Sequence, residues 1–353
     1  MIWLLAFFPI TIGVEIFAPE RHLLLFVTSS LAILPFARWM GDATEHLAVH
    51  FGEGIGGLLN ATFGNAAELI IALAALRAGL HDIVKASIAG SIIGNVLLVL
   101  GAAMLAGGMR YQEQHFNAVA ARSQATMLLL AAIALILPAF FQTAAPGTAG
   151  LDRLSVAIST VLLLVYLLGL AFALVTHRAL FAGSHEPDEQ KGQPSKGRAI
   201  AVLAGATVGI AWMSEILVGT IEPATHELGL SQVFIGVFVV AVLGNAVEHA
   251  TAIRVAVKGR MDLSLSIAIG SSVQIALFVA PVLVLTSLVL GPAPMDLAFP
   301  VGLILLVLVS VVITTQVAND GRSDWLEGVQ LLTIYVILGL TFFFLPASAT
   351  SSH

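Results

Sequence analysis

Apolar runs of helical length recur along the 353-residue chain, separated by short polar or Gly/Pro breaks. They predict membrane spans over 2–18, 22–41, 56–78, 83–107, 117–141, 154–178, 198–220, 231–257, 264–290, 296–316 and 325–346. The predicted fold class is an all-α integral membrane protein of about eleven transmembrane helices. None of the connections is long enough to hold a soluble domain. The longest polar stretch, GSHEPDEQKGQPSKGR after Ala182, reads as a solvated linker. A short acidic segment that senses cation is the sharper reading of the same residues.

Composition strengthens the membrane assignment. Hydrophobic residues make up 58% of the chain, charged residues 10%, and the mean hydropathy is +1.00. A soluble domain needs about a quarter of its residues charged to coat its surface, so this chain must be solvated by lipid. The formal charge of -6 gives no reason to expect nucleic acid as a partner. Cysteine is absent, which excludes disulfides and thiolate metal sites. The start, MIWLLAFFPITIGVEIFAPE, lacks the basic flank and cleavage site of a signal peptide and is expected to be a retained first span. Arg38, Arg110, Arg122, Arg178, Lys191, Lys196, Arg198, Arg254, Lys258, Arg260 and Arg322 gather at one set of alternating loops and span ends. Only Arg21, Arg77, Lys85 and Arg153 fall at the other set. That bias predicts a cytosolic N-terminus and mid-chain linker and an external C-terminus. Short loops and tails point to a prokaryotic plasma membrane.

One stretch occurs twice. GNAAELIIALAALRAGLHDIVKASIAGSIIGN begins at Gly64, and GNAVEHATAIRVAVKGRMDLSLSIAIGSSVQ begins at Gly244, 180 positions later. The offset holds for Asn65/Asn245, Glu68/Glu248, Asp82/Asp262, Gly90/Gly270 and Ser91/Ser271. The predicted organisation is a peripheral first helix over 1–21 and a first repeat over 22–180 with its signature near 56–101. A linker over 181–197 then leads to a second repeat over 198–353 with its signature near 241–285. An odd number of crossings per repeat inverts one copy relative to the other. That is a transporter architecture, with the site near the midplane where the halves meet. A rigid symmetric pore is the competing use of the same repetition.

Glu68 and Glu248 fall inside predicted spans, where an ionised acid costs a few kcal/mol and is rarely idle. A single such acid is often a protonated structural hydrogen-bonder; recurrence in register argues against that here. Asn65 and Asn245 precede the acids by three residues, which places amide and carboxylate on one helix face. Gly64 and Gly244 allow close approach or a local break that frees carbonyl oxygens. Helix four adds Ser91 and Asn95; helix nine adds Ser271, Ser272 and Gln274, with the amides displaced by one residue between copies. Packing alone explains small residues such as Gly90 and Gly270 equally well.

Carboxylate, amide and carbonyl oxygens suit hard cations, and a flexible cage of about six to eight oxygens suits Ca²⁺ best. Mg²⁺ sheds its waters too reluctantly, and Zn²⁺ or copper sites prefer thiolate and imidazole. Two adjacent carboxylates in a low dielectric cannot both stay ionised without a counter-charge, so protons take the place of the cation. Competition for the same oxygens is a complete coupling mechanism. His249, next to Glu248 and matched by Leu69 in the first copy, is a candidate proton relay, against the plainer reading of a packed helical histidine. Glu45, in ATEHLA from Ala43, and Glu215, in WMSEILVG, are candidates for gating or proton access. Asp82 and Asp262 read as helix-end or loop residues before they read as entrance charges.

GGLLNATFGNAAELIIAL from Gly56 and ASIAGSIIGNVLLVLG from Ala86 resemble the first signature repeat of the Ca²⁺/H⁺ exchangers, the cation/proton exchanger branch of the Ca²⁺/cation antiporter superfamily. AVLGNAVEHATAIRVAVKGRMDLSLSIAIGSSVQIALFVAPVLVL from Ala241 is similar to their second repeat, and DGRSDWLEGVQLLTIYVI from Asp320 extends the likeness. The resemblance implies one peripheral helix plus two inverted five-helix repeats, with alternating access at a central site. It places the family's two central acids, the Ca²⁺ ligands, on Glu68 and Glu248. Its neighbouring polar ligands fall on Asn95 and Gln274, with Asn65, Asn245 and Ser91 close by. The family's acidic cytosolic helix is shortened here to HEPDEQ from His185, and no extended autoinhibitory N-terminal tail is visible. NATFGNAAEL is the proton-exchanger style of signature rather than the Gly-Thr-Ser type of Na⁺/Ca²⁺ exchangers.

The expected function is secondary antiport of Ca²⁺ against H⁺, with no cofactor, no enzymatic activity, the lipid bilayer as partner, and a homo-oligomer compatible with the chain. No phosphate-binding Gly-rich loop points to ATP. Exchange of Na⁺ or another divalent is the nearest alternative. A cation channel with filter acids is the alternative from another class. A metalloenzyme is disfavoured by the absence of HExxH among the 10 scattered histidines.

Overall fold

The computed structural model describes residues 2–145, 150–177 and 195–344. Its helices are α1 (Phe7–Phe17), α2 (His22–Phe63), α3 (Ala66–Arg77), α4 (His81–Gly108), α5 (Ala118–Ala144), α6 (Gly150–Thr176), α7 (Lys196–Leu228), α8 (Gln232–Val257), α9 (Met261–Ser287), α10 (Val301–Val317) and α11 (Trp325–Phe343). Eight stretches of the described residues are long and apolar enough to span a bilayer, and the chain is an integral multi-pass membrane protein. Most of the predicted linker, with Arg178 and Lys191, and the residues after 344 lie outside the described residues.

One boundary differs from expectation. The boundary predicted between the spans over 22–41 and 56–78 is shifted: helical hydrogen bonding in α2 continues from the first into the start of the second as far as Phe63, and α3 carries the rest. α2 is not straight: a β-carbon on Gly56 would lie 2.3 Å from the Ala48 carbonyl oxygen. Eight residues of straight helix advance about 12 Å, so α2 folds back on itself between these residues. The real interruption falls at Gly64 and Asn65, where Asn65 leaves helical geometry at φ -102, ψ 22.

The same Gly-Asn pair in the second copy lies inside continuous helix. The difference is tertiary. Asn245 Nδ2 bonds back to Ala241 O at 2.9 Å on its own helix. The Asn65 side chain instead reaches α9, donating to Gln274 Oε1 at 2.5 Å and accepting from Ser271 Oγ at 2.9 Å. Asparagine is a weak helix former that favours helix ends, and at Asn65 the side chain is held by α9 alone, with no bond to its own helix.

The signature helices α4 and α9 form the centre, with 83% and 72% of their most apolar windows buried, whereas α6 and α11, at 17% and 11%, present themselves to lipid. α1 packs at the margin, its Phe8 ring edge-on to Phe36 of α2 and Trp212 of α7. π-helical turns interrupt α4 at Gly94–Val99 and α9 at Ile275–Val279, a further match between copies, and α8 at Ile235–Val240. Each such turn inserts a residue and re-aims the side chains beside it. Asn95 lies inside the first of these and Gln274 just before the second, so the one-residue displacement of the two amides coincides with the change in helical register.

The ends of the bundle define two faces. On the first, the His81 face, Gly79 meets Pro292 and the 288–300 connection is tied to α4 by Lys85 Nζ, which donates to Asp296 Oδ1 at 2.7 Å and Ala298 O at 2.8 Å. On the second, strands β1 (Glu113–His115) and β2 (Arg322–Asp324) pair antiparallel, Gln114 opposite Ser323. Here Asn117 N, at the N-cap of α5, donates to Asp262 Oδ1 at 2.5 Å, so Asp262 in the first turn of α9 fastens the start of α5. This second face is called the ladder face below.

Candidate ion-binding site

α3 runs toward the His81 face and α8 toward the ladder face. Glu68 stands nine positions before Arg77 at the end of α3, and Glu248 nine before Val257 at the end of α8. At 1.5 Å per residue each acid lies about 14 Å from its own end, on opposite faces, which puts both near the middle of a hydrocarbon core about 30 Å thick.

The copies interlock crosswise. Ser91 of α4 donates to Glu68 Oε1 at 2.5 Å. Asn245 Nδ2 of α8 donates to the same carboxylate oxygen and lies 3.0 Å from Ser91 Oγ. Asn245 therefore serves the acid of the other repeat, while Glu248, on its own helix, is faced by the Ser271 hydroxyl of α9. Gly244 makes this possible: a β-carbon there would lie 2.7 Å from Glu68 Cγ. Around Glu248 the amides form a directional chain. His249 Nε2 lies 3.1 Å from Asn95 Oδ1, Asn95 Nδ2 donates to Ser271 Oγ at 3.1 Å, and Ser271 continues to Asn65 and Gln274. Because Asn95 Nδ2 is engaged with Ser271, its Oδ1 is left as acceptor and His249 donates through Nε2.

Asn65, Ser91, Asn95, Asn245 and Ser271 are buried, and Glu68, Glu248 and Gln274 partly so. Three buried oxygens, Glu68 Oε2, Glu248 Oε2 and Asn245 Oδ1, have no hydrogen-bond partner. Buried polar atoms are seldom left unpaired, and an unpaired set converging from two repeats is acceptor chemistry suited to a hard cation or to protons on the carboxylates. A cavity of about 20 Å³, lined by Glu68, Ile71, Ser87, Ser91, Val240 and Val279, lies beside the first acid and has room for about one water-sized sphere.

The structure thus gathers Glu68, Glu248, Asn65, Asn245, Asn95, Gln274, Ser91 and Ser271, with His249 at the edge of the network. It does not bring Glu45 or Glu215 there. Glu45 is exposed on α2, and Glu215 pairs with Arg77 at 3.2 Å, both side chains more than half exposed. Spacing alone put Asn65 and Glu68 on one helix face; the break at Gly64 sends Asn65 to α9 instead. The crosswise reach of Asn245 left no trace in sequence beyond the glycine that admits Glu68.

The model of the sodium/calcium exchanger protein family matches residues 21–175 and 198–344. A Ca²⁺/H⁺ antiporter of Synechocystis is 47% identical over 340 residues, covering 91% of each chain. The Ca²⁺/H⁺ antiporter ChaA of Bacillus subtilis is 43% identical over 325 residues, covering 91% of this chain and 92% of its own. The solved structure of native YfkE superposes with a TM-score of 0.85 at 39% identity, over 98% of this chain and 99% of that one. Two matched segments that divide the chain as its internal repeat does, together with relatives matched nearly end to end, place this chain in the sodium/calcium exchanger family.

Proposed function

We propose that the chain is a secondary antiporter that exchanges Ca²⁺ for H⁺ by alternating access, with Glu68 and Glu248 binding either the cation or protons. The observation that carries this reading is that the two acids, on oppositely directed helices, are tied into one network of buried polar side chains through Ser91, Asn245 and Ser271, and each keeps a buried carboxylate oxygen without a partner. Both carboxylates neutralise a divalent ion, and the amide and hydroxyl oxygens of Asn65, Asn95, Asn245, Gln274, Ser91 and Ser271 supply further hard donors. When the ion leaves, protons neutralise the acids, because two adjacent carboxylates at this depth cannot both remain charged. His249, at the edge of the network, donates a hydrogen bond to Asn95 and so orients that amide. The high identity to Ca²⁺/H⁺ antiporters supports the choice of ions.

The domain reading accompanies this: a marginal helix over 1–21, repeats over 22–180 and 198–353, and a joining segment over 181–197. The ladder face, with Arg110, Lys258, Arg260 and Arg322, is the cytosolic one, and the membrane is the bacterial plasma membrane. The test is radiocalcium uptake into proteoliposomes under imposed pH or Na⁺ gradients. A pH gradient alone should drive saturable uptake, and Glu68→Gln or Glu248→Gln should each reduce it about 100-fold or more. Uptake that requires Na⁺, or that does not saturate, would replace proton exchange with sodium exchange or a channel.

A further inference from the structure

The loop between α4 and α5 presses onto the end of α8. A β-carbon on Gly259, which turns the chain after α8 at φ 77, would lie 3.4 Å from Tyr111 Cζ, and Gln114 Nε2 donates to Ala256 O at 2.9 Å. These contacts set Arg110 beside Lys258 and Arg260, the two residues that flank Gly259. The Arg110 guanidinium lies 5.8 Å from the centre of the Tyr111 ring. All three cations are exposed, and none has a carboxylate partner among the described residues. The acids nearby are already engaged. Glu113 faces Arg322 and His115, Asp262 accepts from Asn117 N, Asp320 from Arg322 N, and Asp324 from the first turn of α11. Three like charges held together in this way focus a positive potential at one place on the ladder face.

The other side of the same loop is apolar. Met109 and Gln112 line an open cleft of about 590 Å³ with Gly108 and Trp325. Gly108 and Trp325 meet at their backbones, since a β-carbon on the glycine would fall 2.5 Å from Trp325 N. Met109 is 79% exposed and Trp325 51%, and α11, which Trp325 begins, turns most of its surface to lipid. A tryptophan at the first turn of a lipid-facing helix marks the boundary between hydrocarbon and headgroups. Cleft and cations thus adjoin at headgroup depth, on two sides of the turn at 109–112. Apolar surface beside a cationic cluster at that depth matches a molecule whose chains lie in hydrocarbon and whose phosphate carries negative charge.

We propose that the cluster of Arg110, Lys258 and Arg260, together with the cleft between Met109 and Trp325, is a binding site for an anionic phospholipid of the surrounding leaflet. The headgroup phosphate pairs with the cations, and an acyl chain lies along Trp325. The site is remote from the acids at mid-membrane and does not depend on which ions the chain exchanges.

Trp325 reports on the site directly once the other three of the chain's 4 tryptophans, Trp3, Trp39 and Trp212, are changed to Phe. The full chain in phosphatidylcholine vesicles is titrated with brominated phosphatidylglycerol or with brominated phosphatidylcholine, and quenching of Trp325 is followed. A Lys or Arg at the membrane surface favours anionic lipid by about fivefold, so half-maximal quenching should need at least tenfold less of the anionic lipid. Arg110→Gln with Lys258→Gln and Arg260→Gln should remove that preference. Lys196→Gln with Arg198→Gln, two exposed cations at the start of α7, should leave it intact. Equal quenching by the two lipids, a preference that survives the triple variant, or one lost equally in the double variant overturns the site. Displacement of the quencher by excess inorganic phosphate would make it a site for free anions and overturns the lipid as occupant. A second reading needs no change of tryptophan. Mass spectrometry of the purified parent chain should find anionic phospholipid retained at least tenfold more than in the triple variant, and equal retention also overturns the proposal.

Discussion

Asn245 of α8 donates to Glu68 of α3, across the junction of the repeats, rather than to Glu248 one turn along its own helix. The second half of the molecule thus completes the acid of the first, while Glu248 is faced by Ser271 of its own half, and the network around the acids exists only where both halves are assembled. An amide donor aimed at a carboxylate interacts more strongly with its ionised form than with its protonated form.

Removing the donor should be visible in the pH dependence of transport. Asn245→Val leaves Glu68 with the Ser91 hydroxyl as its remaining side-chain donor. The pH of half-maximal Ca²⁺ uptake should then move upward by about one unit, a typical worth of one charge-assisted bond. Uptake measured across a pH series checks this, and an unmoved midpoint speaks against the contact.

Competition between ions fixes a second sign. Each carboxylate that must shed a proton before binding Ca²⁺ contributes a tenfold loss of affinity per unit of falling pH. With two acids, the apparent Ca²⁺ affinity should fall about ten- to hundredfold per unit as the loading side is acidified. Acidifying the opposite side should accelerate uptake. Binding isotherms at stepped pH test the first statement, and a pH-independent affinity contradicts it.

The glycines should separate by what surrounds them. Gly90→Ala drives a methyl group into the backbone of Val237 and should cost about 1–3 kcal/mol. Gly219, inside α7, has nothing within 4 Å of its β-position, so Gly219→Ala should gain about 0.5–1 kcal/mol through helix propensity. Thermal unfolding in detergent should show shifts of opposite sign.

The Lys85–Asp296 pair, with side chains 10% and 26% exposed, should resist loss of either partner more than loss of both. Lys85→Met or Asp296→Leu alone leaves an uncompensated charge and should cost about 3 kcal/mol; the double variant should cost less than the sum. A double-mutant cycle in thermal unfolding reads the coupling, and strict additivity would deny it.

From its letters alone the chain determined that it lives in a membrane, because so few charges cannot coat a soluble surface. It also determined that it is built twice, because one offset relates both acids, both amides and the serines that follow. Inverted orientation followed from counting crossings. What tertiary structure decided was where identical words act differently. Gly64–Asn65 ends a helix while Gly244–Asn245 continues one, since the first asparagine is drawn to α9 and the second bonds its own backbone. Gly90 is pressed against a neighbouring backbone while Gly270 stands nearly free. Glu215 was expected near the pathway and pairs with Arg77 instead. Periodicity and spacing are local, and so are legible residue by residue. Which copy of a repeated segment is packed and which is loose depends on contacts between distant segments, and neither copy carries that choice in its own residues.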